Sequence, residues 1–199
     1  MVTPMPKTLV AATHNKGKLA EFARMLEPKG IDVTLPPDPE LIKNIVEDGE
    51  TFAENALIKA RAVFAATGLP TMADDSGLCI DALDGRPGVY SARYLGEETP
   101  YTIKNAAIIK ELEGVPDISR TARFECAIAL VTSQGEHVFK GTFEGKIGYK
   151  PSGENGFGYD PIFYVGDISS SDMSDTEKDA ASHRGKALRA MLAEIDRLL

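Results

Sequence analysis

The chain has 199 residues, 43% hydrophobic and 26% charged, and its 22 Lys and Arg against 30 Asp and Glu leave a formal charge of −8. Such ordinary globular usage excludes collagen, coiled coil and disorder, and an acidic chain lacks the basic surface that a nucleic-acid polymer requires. The length suits a single domain over 1–199 that buries about 70% of its unfolded surface.

Residues 1–7 read as an irregular N-terminus with no apolar signal core, and no apolar run is long enough to span a membrane. Residues 8–13 form an apolar run, read as a buried strand, before a His14-Asn15-Lys16-Gly17 turn. Leu19, Phe22, Ala23 and Leu26 keep helical spacing until Pro28 and Gly30, and 31–35 alternates as a second strand. Thr51-Phe52-Ala53-Glu54 is a capping box opening a helix that Gly68 and Pro70 stop. Thr71-Met72-Ala73 is a strand ending at Asp74-Asp75-Ser76-Gly77, after which Leu78-Cys79-Ile80 is again apolar. Residues 101–112 read as a helix. Residues 120–131 alternate, turn at Ser133-Gln134-Gly135 and return over 138–147, a long hairpin. A glycine-rich loop over 151–158, a short strand over 161–165, a second capping box at Ser174–Glu177 and one final helix through Leu188, Met191, Leu192, Ile195 and Leu199 complete the chain. The order predicts an α/β fold with a mixed sheet. Cys79 and Cys126 sit in apolar stretches without a CxxC pattern, which suits free thiols in a reducing cytoplasm.

Several segments carry side chains suited to chemistry. Thr13-His14-Asn15-Lys16-Gly17-Lys18 joins a strand to a helix; helix N–H groups there can hold an anion, with Gly17 admitting close approach. The same pattern also makes a plain tight turn. Glu47, Asp48 and Glu50 precede a helix, where carboxylates favour its dipole. Lys59 falls on the apolar stripe one turn after Asn55, so it must snorkel or meet an anion. Asp74 and Asp75 at an apolar strand end suit Mg²⁺, which takes one or two carboxylates plus water and phosphate oxygens. Their alternative is an Asp-Ser-Gly turn. The glycines around Phe157 and Tyr159 let a ring lie on a flat ligand, with Asp160 exposed to accept from a ring N–H, or leave both rings to the core. Lys178, Ser182, His183 and Arg184 offer donors and charge, although a lone His is more often solvated. Together these groups suit a nucleotide site built from both ends of the chain.

Thr13–Lys18, Phe52-Ala53-Glu54-Asn55-Ala56, Asp74-Asp75-Ser76-Gly77, Gly88-Val89-Tyr90-Ser91-Ala92-Arg93-Tyr94, Phe157-Gly158-Tyr159-Asp160 and Ser182-His183-Arg184-Gly185 occur in one order along the chain. In that combination the chain resembles the inosine triphosphate pyrophosphatase family, and within it the bacterial dITP/XTP pyrophosphatase branch. His14 departs from that branch, which often has Gly there. The resemblance implies an elongated two-lobed α/β fold, with a central mixed sheet flanked by helices, a long antiparallel hairpin and a cleft between the lobes. It implies a homodimer and Mg²⁺-dependent hydrolysis of ITP, dITP and XTP to the monophosphate and pyrophosphate. Carried over, Asp75 is the general base and, with Glu47, a metal ligand. Thr13, His14, Asn15, Lys16, Gly17, Lys18 and Lys59 would hold phosphates, and Ser76 would touch substrate. Phe157, Gly158, Tyr159, Asp160, Lys178, His183 and Arg184 would surround base and sugar. The alternatives are a Maf-like pyrophosphatase for modified nucleotides and a nucleotide sensor without turnover.

Overall fold

A computed structural model describes residues 7–199; all of the expected irregular N-terminus except Lys7 lies outside the described residues. A βαβ unit opens it: β1 (Lys7–Ala11), α1 (Lys16–Leu26) and β2 (Ile31–Thr34), with β2 parallel to β1. A one-turn helix, α2 (Glu40–Lys43), follows in a stretch to which the sequence reading assigned no element. α3 (Phe52–Thr67) starts at the expected capping box, Thr51 accepting from the Glu54 N–H and Glu54 from the Thr51 N–H, and ends on left-handed Gly68. β3 (Thr71–Ile80) then lies parallel to β1 on its other side. α4 (Tyr101–Glu111), β4 (Thr121–Thr132), β5 (Gly135–Ile147), β6 (Phe163–Val165) and β7 (Ile168–Ser169) follow, and the last three helices are α5 (Asp175–Ala181), α6 (His183–Leu192) and α7 (Ile195–Leu198). The sheet has seven strands in the order β2-β1-β3-β4-β5-β6-β7. Its pairs from β3 onward are antiparallel, so the sheet is mixed, as expected.

Helices cover both faces. On one, Phe22 and Leu26 of α1 and Leu188 and Met191 of α6 pack on Leu9, Met72, Ile128 and Leu130. On the other, Ala56, Ala60 and Val63 of α3 pack on Val10, Ala73, Ala127, Ala129 and Val131. β4 therefore alternates only in its first half; from Cys126 onward both of its faces are buried, which is why its second half is apolar throughout. A third cluster, with Leu78, Ile80, Phe124, Phe163 and α4's Ile108, fills the far end of the sheet.

Two expectations are corrected. β3 does not end at Asp74 but runs unbroken to Ile80, because β4 pairs with it over its whole length. β1 is the strand that stops, its last pairing with β3 being Ala11 to Met72. The final helix is three helices. Ser182 takes an extended conformation, ends α5 and caps α6 by accepting from the Gly185 N–H at 3.1 Å. After the break at Leu192, Ile195 and Leu198 lie in the same core cluster as Leu188 and Met191.

Arg120 holds the far end together without a carboxylate. Only 1% exposed, it donates to the carbonyls of Ile147, Leu112 and Gly148, each at 2.8 Å, and lies over the Tyr149 ring. Arg120→Ala should cost about 3 kcal/mol, since it strands several buried carbonyls. Arg120→Lys should recover little, because an ammonium carries its three donors on one nitrogen and cannot span carbonyls that Arg120 reaches from Nε, Nη1 and Nη2. Urea denaturation with an unchanged slope and a lowered midpoint is the expected readout.

Candidate functional site

The sheet order reverses at β1: β2 follows on one side and β3 on the other. Ligand crevices of α/β sheets open outside the strand ends at such a point. Here β1 stops and β3 continues, so the exposed edge of β3 gives one cavity access to both faces of the sheet. That cavity has a volume of about 550 Å³, within the range of small-molecule sites. Every residue that the resemblance places on substrate or metal lines it except Lys16 and Gly17; Asp74, expected beside Asp75 as a metal ligand, does not line it.

The pleat separates the two neighbouring acids, since consecutive strand residues point to opposite faces. Asp74 faces α1 and α6. Its Oδ1 is 2.6 Å from Lys18 Nζ, and its Oδ2 accepts from Arg184 Nε at 3.0 Å. Burial alone would raise its carboxyl, but Arg184, Lys18 and Lys59 outweigh burial and hold it far below the usual carboxylate range. Asp75 faces α3. Its Oδ2 accepts from Asn55 Nδ2 at 3.1 Å, and its Oδ1 is 3.9 Å from Lys59 Nζ. Burial pushes the Asp75 carboxyl up, against the pull of Lys59 and Lys18. The reading of Asp74 and Asp75 as one metal-binding pair is thereby corrected.

Lys59 does not snorkel. It is buried, with Nζ 2.9 Å from Glu47 Oε2. Burial would lower its pKa, but Asp75, Glu47 and Asp74 raise it. Glu47 is thus the acid of its loop that reaches the cavity, while Asn55 Oδ1 pins that loop through the Gly49 N–H at 2.9 Å. At the other wall, Asn15 is the N-cap of α1, accepting from the Lys18 N–H at 3.1 Å, and Thr13 Oγ1 accepts from the Asn15 N–H at 3.1 Å. The segment is thus a turn whose residues Thr13, His14, Asn15 and Lys18 line the cavity. His14 lines the cavity, and Lys16 is exposed away from it.

Glycine lets α6 lie directly on β5: a Cβ on Gly141 would stand 2.1 Å from the His183 carbonyl oxygen. This contact carries His183 and Arg184 to the edge of β3, where Arg184 Nη2 donates to Ser76 Oγ at 2.9 Å. His183 is no solvated helix residue; it stacks on Phe124 at 4.9 Å and its Nδ1 is buried without a partner. Burial, then the charge of Arg184, holds its imidazole well below the usual range and keeps it neutral.

Asp160 is buried rather than exposed. It pairs with Lys178, accepts from Ser170 Oγ at 2.9 Å and from the Phe157 N–H at 2.9 Å, and so shapes the loop. Tyr159 is likewise mostly core, its hydroxyl donating to the Ser91 carbonyl at 2.7 Å. Phe157 remains at the cavity, under the cations of Lys178 and Arg184. Sequence reading missed Glu21, a buried α1 carboxylate that pairs with Arg184 and lies 3.7 Å from Lys178. Its only signal was a charge one position before the core residue Phe22. Arg93, Glu97 and Tyr101 at the cavity wall were also missed.

The donor set bears on a metal. Among the described residues no three His, Cys, Asp or Glu converge as a metal cage. Asp75 and Glu47, both beside Lys59, instead offer the two carboxylates that Mg²⁺ uses when substrate oxygens and water complete its shell. Lys18, Lys59, Lys178 and Arg184 are each already paired with a carboxylate.

Neutral His183 also sets a pH dependence. The unfolded imidazole binds a proton below about pH 6.5 while the folded one does not, so stability falls with pH in that window. Its limiting slope is about 1.4 kcal/mol per pH unit. Raised Asp75 acts with the opposite sign at lower pH. Urea titrations at pH 7.5 and 5.5 should show the loss in the parent, and His183→Gln should remove most of it.

Comparison with known proteins identifies the family and the fold. The model of the Ham1 family matches residues 9–194. The dITP/XTP pyrophosphatase of Nitratidesulfovibrio vulgaris is 51% identical over 195 residues, covering 93% of this chain and 94% of that protein. That of Halalkalibacterium halodurans is 48% identical, covering 93% and 97%. The structure of a HAM1 protein from Coxiella burnetii superposes with a TM-score of 0.85 at 40% identity, covering 96% and 99%. That of the Staphylococcus aureus Ham1 protein gives 0.84 at 37%, covering 97% and 100%. With its family model spanning nearly the whole chain and its cavity residues in the expected order, this protein belongs to the Ham1 family.

Proposed function

We propose that this protein hydrolyses the non-standard purine nucleoside triphosphates ITP, dITP and XTP to the monophosphate and pyrophosphate, clearing them from the nucleotide pool. The observation that carries this reading is Asp75. Its carboxylate is held by Asn55, sits beside Lys59 and Glu47, and shares one cavity with Lys178, His183 and Arg184. Relatives named dITP/XTP pyrophosphatase support the same substrates.

Lys18 and Lys59 draw the phosphates to the wall nearest β1 and α3 and balance part of their charge. Asp75 and Glu47 would hold Mg²⁺, which when bound neutralises phosphate charge and stabilises the departing pyrophosphate. Asp75 orients a water and takes its proton as the water oxygen bonds to the α-phosphorus. The bond from that phosphorus to the bridging oxygen breaks, and pyrophosphate leaves with the electron pair. The raised Asp75 carboxyl is a better proton acceptor than an exposed one.

At the other wall, Lys178, Arg184 and His183 present donors to a purine. Hypoxanthine and xanthine carry a C6 carbonyl where adenine carries an amino group. Donors aimed there stay unpaired against adenine, a mismatch worth up to about 10⁴-fold. The reading extends to a single domain acting as a homodimer in the cytoplasm. The buried free thiols of Cys79 and Cys126 favour a reducing compartment.

The test is pyrophosphate release from ITP, dITP and XTP against ATP, GTP and dTTP. Fast release from the first three alone is expected, stopped by a chelator and restored by Mg²⁺. Equal release from ATP and GTP overturns the base selectivity. Asp75→Asn should stay folded and lose roughly 10²-fold or more in turnover; a folded variant with parental turnover removes Asp75 from its role.

A further inference from the structure

Gly17 was expected to admit a phosphate, yet it does not line the cavity. It is the second residue of α1, in ordinary helical backbone, where alanine is the better helix former. The space above its Cα is filled by the ring of Phe157. A Cβ at position 17 would stand 2.5 Å from Phe157 Cδ1 and 2.6 Å from Cε1, far inside van der Waals contact. The same ring has Lys178 Nζ 5.2 Å and Arg184 Cζ 5.7 Å from its centroid. Its backbone N–H is held at 2.9 Å by Asp160, the partner of Lys178.

We propose that Gly17 is a positioning residue for the base-binding wall: the absence of its side chain makes the floor on which Phe157 sits. The helix gives up a better helix former so that a loop some 140 residues away in sequence can seat its ring among the two cations. A side chain at 17 lifts the ring and, through the Phe157 N–H, disturbs the Asp160–Lys178 pair. The turn at the start of α1 and the loop facing the purine are thus in direct contact, and Gly17 acts on the base through Phe157 rather than on the phosphates. This inference rests on the nucleotide reading above.

Its test is a double-mutant cycle of Gly17→Ala and Phe157→Leu, because a leucine can bend away from a new methyl group where a rigid ring cannot. Gly17→Ala alone should raise KM for ITP roughly tenfold or more, with a smaller fall in kcat. In the Phe157→Leu background the same change should add little, a coupling expected only of residues in contact. An ITP KM equal to the parent's, or the same penalty in both backgrounds, overturns the proposal. Should Gly17→Ala alone not fold, the double variant must fold and bind ITP as Phe157→Leu does; its failure to fold is equally decisive against. A second readout needs no nucleotide: 4-fluorophenylalanine at position 157 should change its ¹⁹F shift when Gly17 becomes Ala, and an unmoved resonance overturns the contact. The parent's turnover of ITP decides the functional reading separately, so the two failures are told apart.

Discussion

The buried carboxylate of Asp74 ties the two ends of the chain to its middle. Lys18 reaches it from the first helix and Arg184 from the sixth, while Asp74 itself belongs to the central strand. None of these charges is tolerable alone at such depth, since breaking a buried pair leaves an uncompensated ion and costs several kcal/mol. Glu21 extends the network to Lys178, and Lys178 extends it to Asp160 in the 157–160 loop. The cavity wall at Lys18 and the wall at Lys178, Arg184 and Asp160 therefore belong to one ion-pair network.

The pleat of β3 divides labour between neighbouring acids. Asp74, turned to α1 and α6, is consumed by structure; Asp75, turned to α3, keeps one oxygen toward Lys59 and the cavity. Lys18, Lys59, Lys178 and Arg184 each have an acid beside them. On the reading proposed above, Asp75 and Glu47 would hold a divalent ion there, which would add positive charge where charge develops during hydrolysis.

Local signals in the sequence were read correctly where one element decides the outcome. Thr51 and Glu54 cap α3 as their spacing requires, Gly68 ends it, and the β4–β5 hairpin follows its alternating residues. The elements misjudged are those that a neighbour decides. β3 passes through two acids because β4 pairs with it on one side and because Lys18, Arg184 and Asn55 neutralise or bond what it buries. The final helical stretch breaks at Ser182 because His183 and Arg184 must turn to the β3 edge over Gly141. Glu21 was invisible for the same reason: its partners lie at the opposite end of the chain.

The sequence by itself determined the fold class, the strand–helix–strand opening, the hairpin and the set of residue types at the site, since periodicity, caps and motif order are all local properties of the chain. Tertiary structure alone decided which of two adjacent acids faces the cavity, that Asp160 and Tyr159 are bonded into the fold, and that Gly17 lies against the Phe157 ring and off the cavity lining. Those outcomes depend on which face of a strand or helix meets which partner. A strand's alternation tells that two neighbours point apart, but only the packed neighbours tell what each one meets.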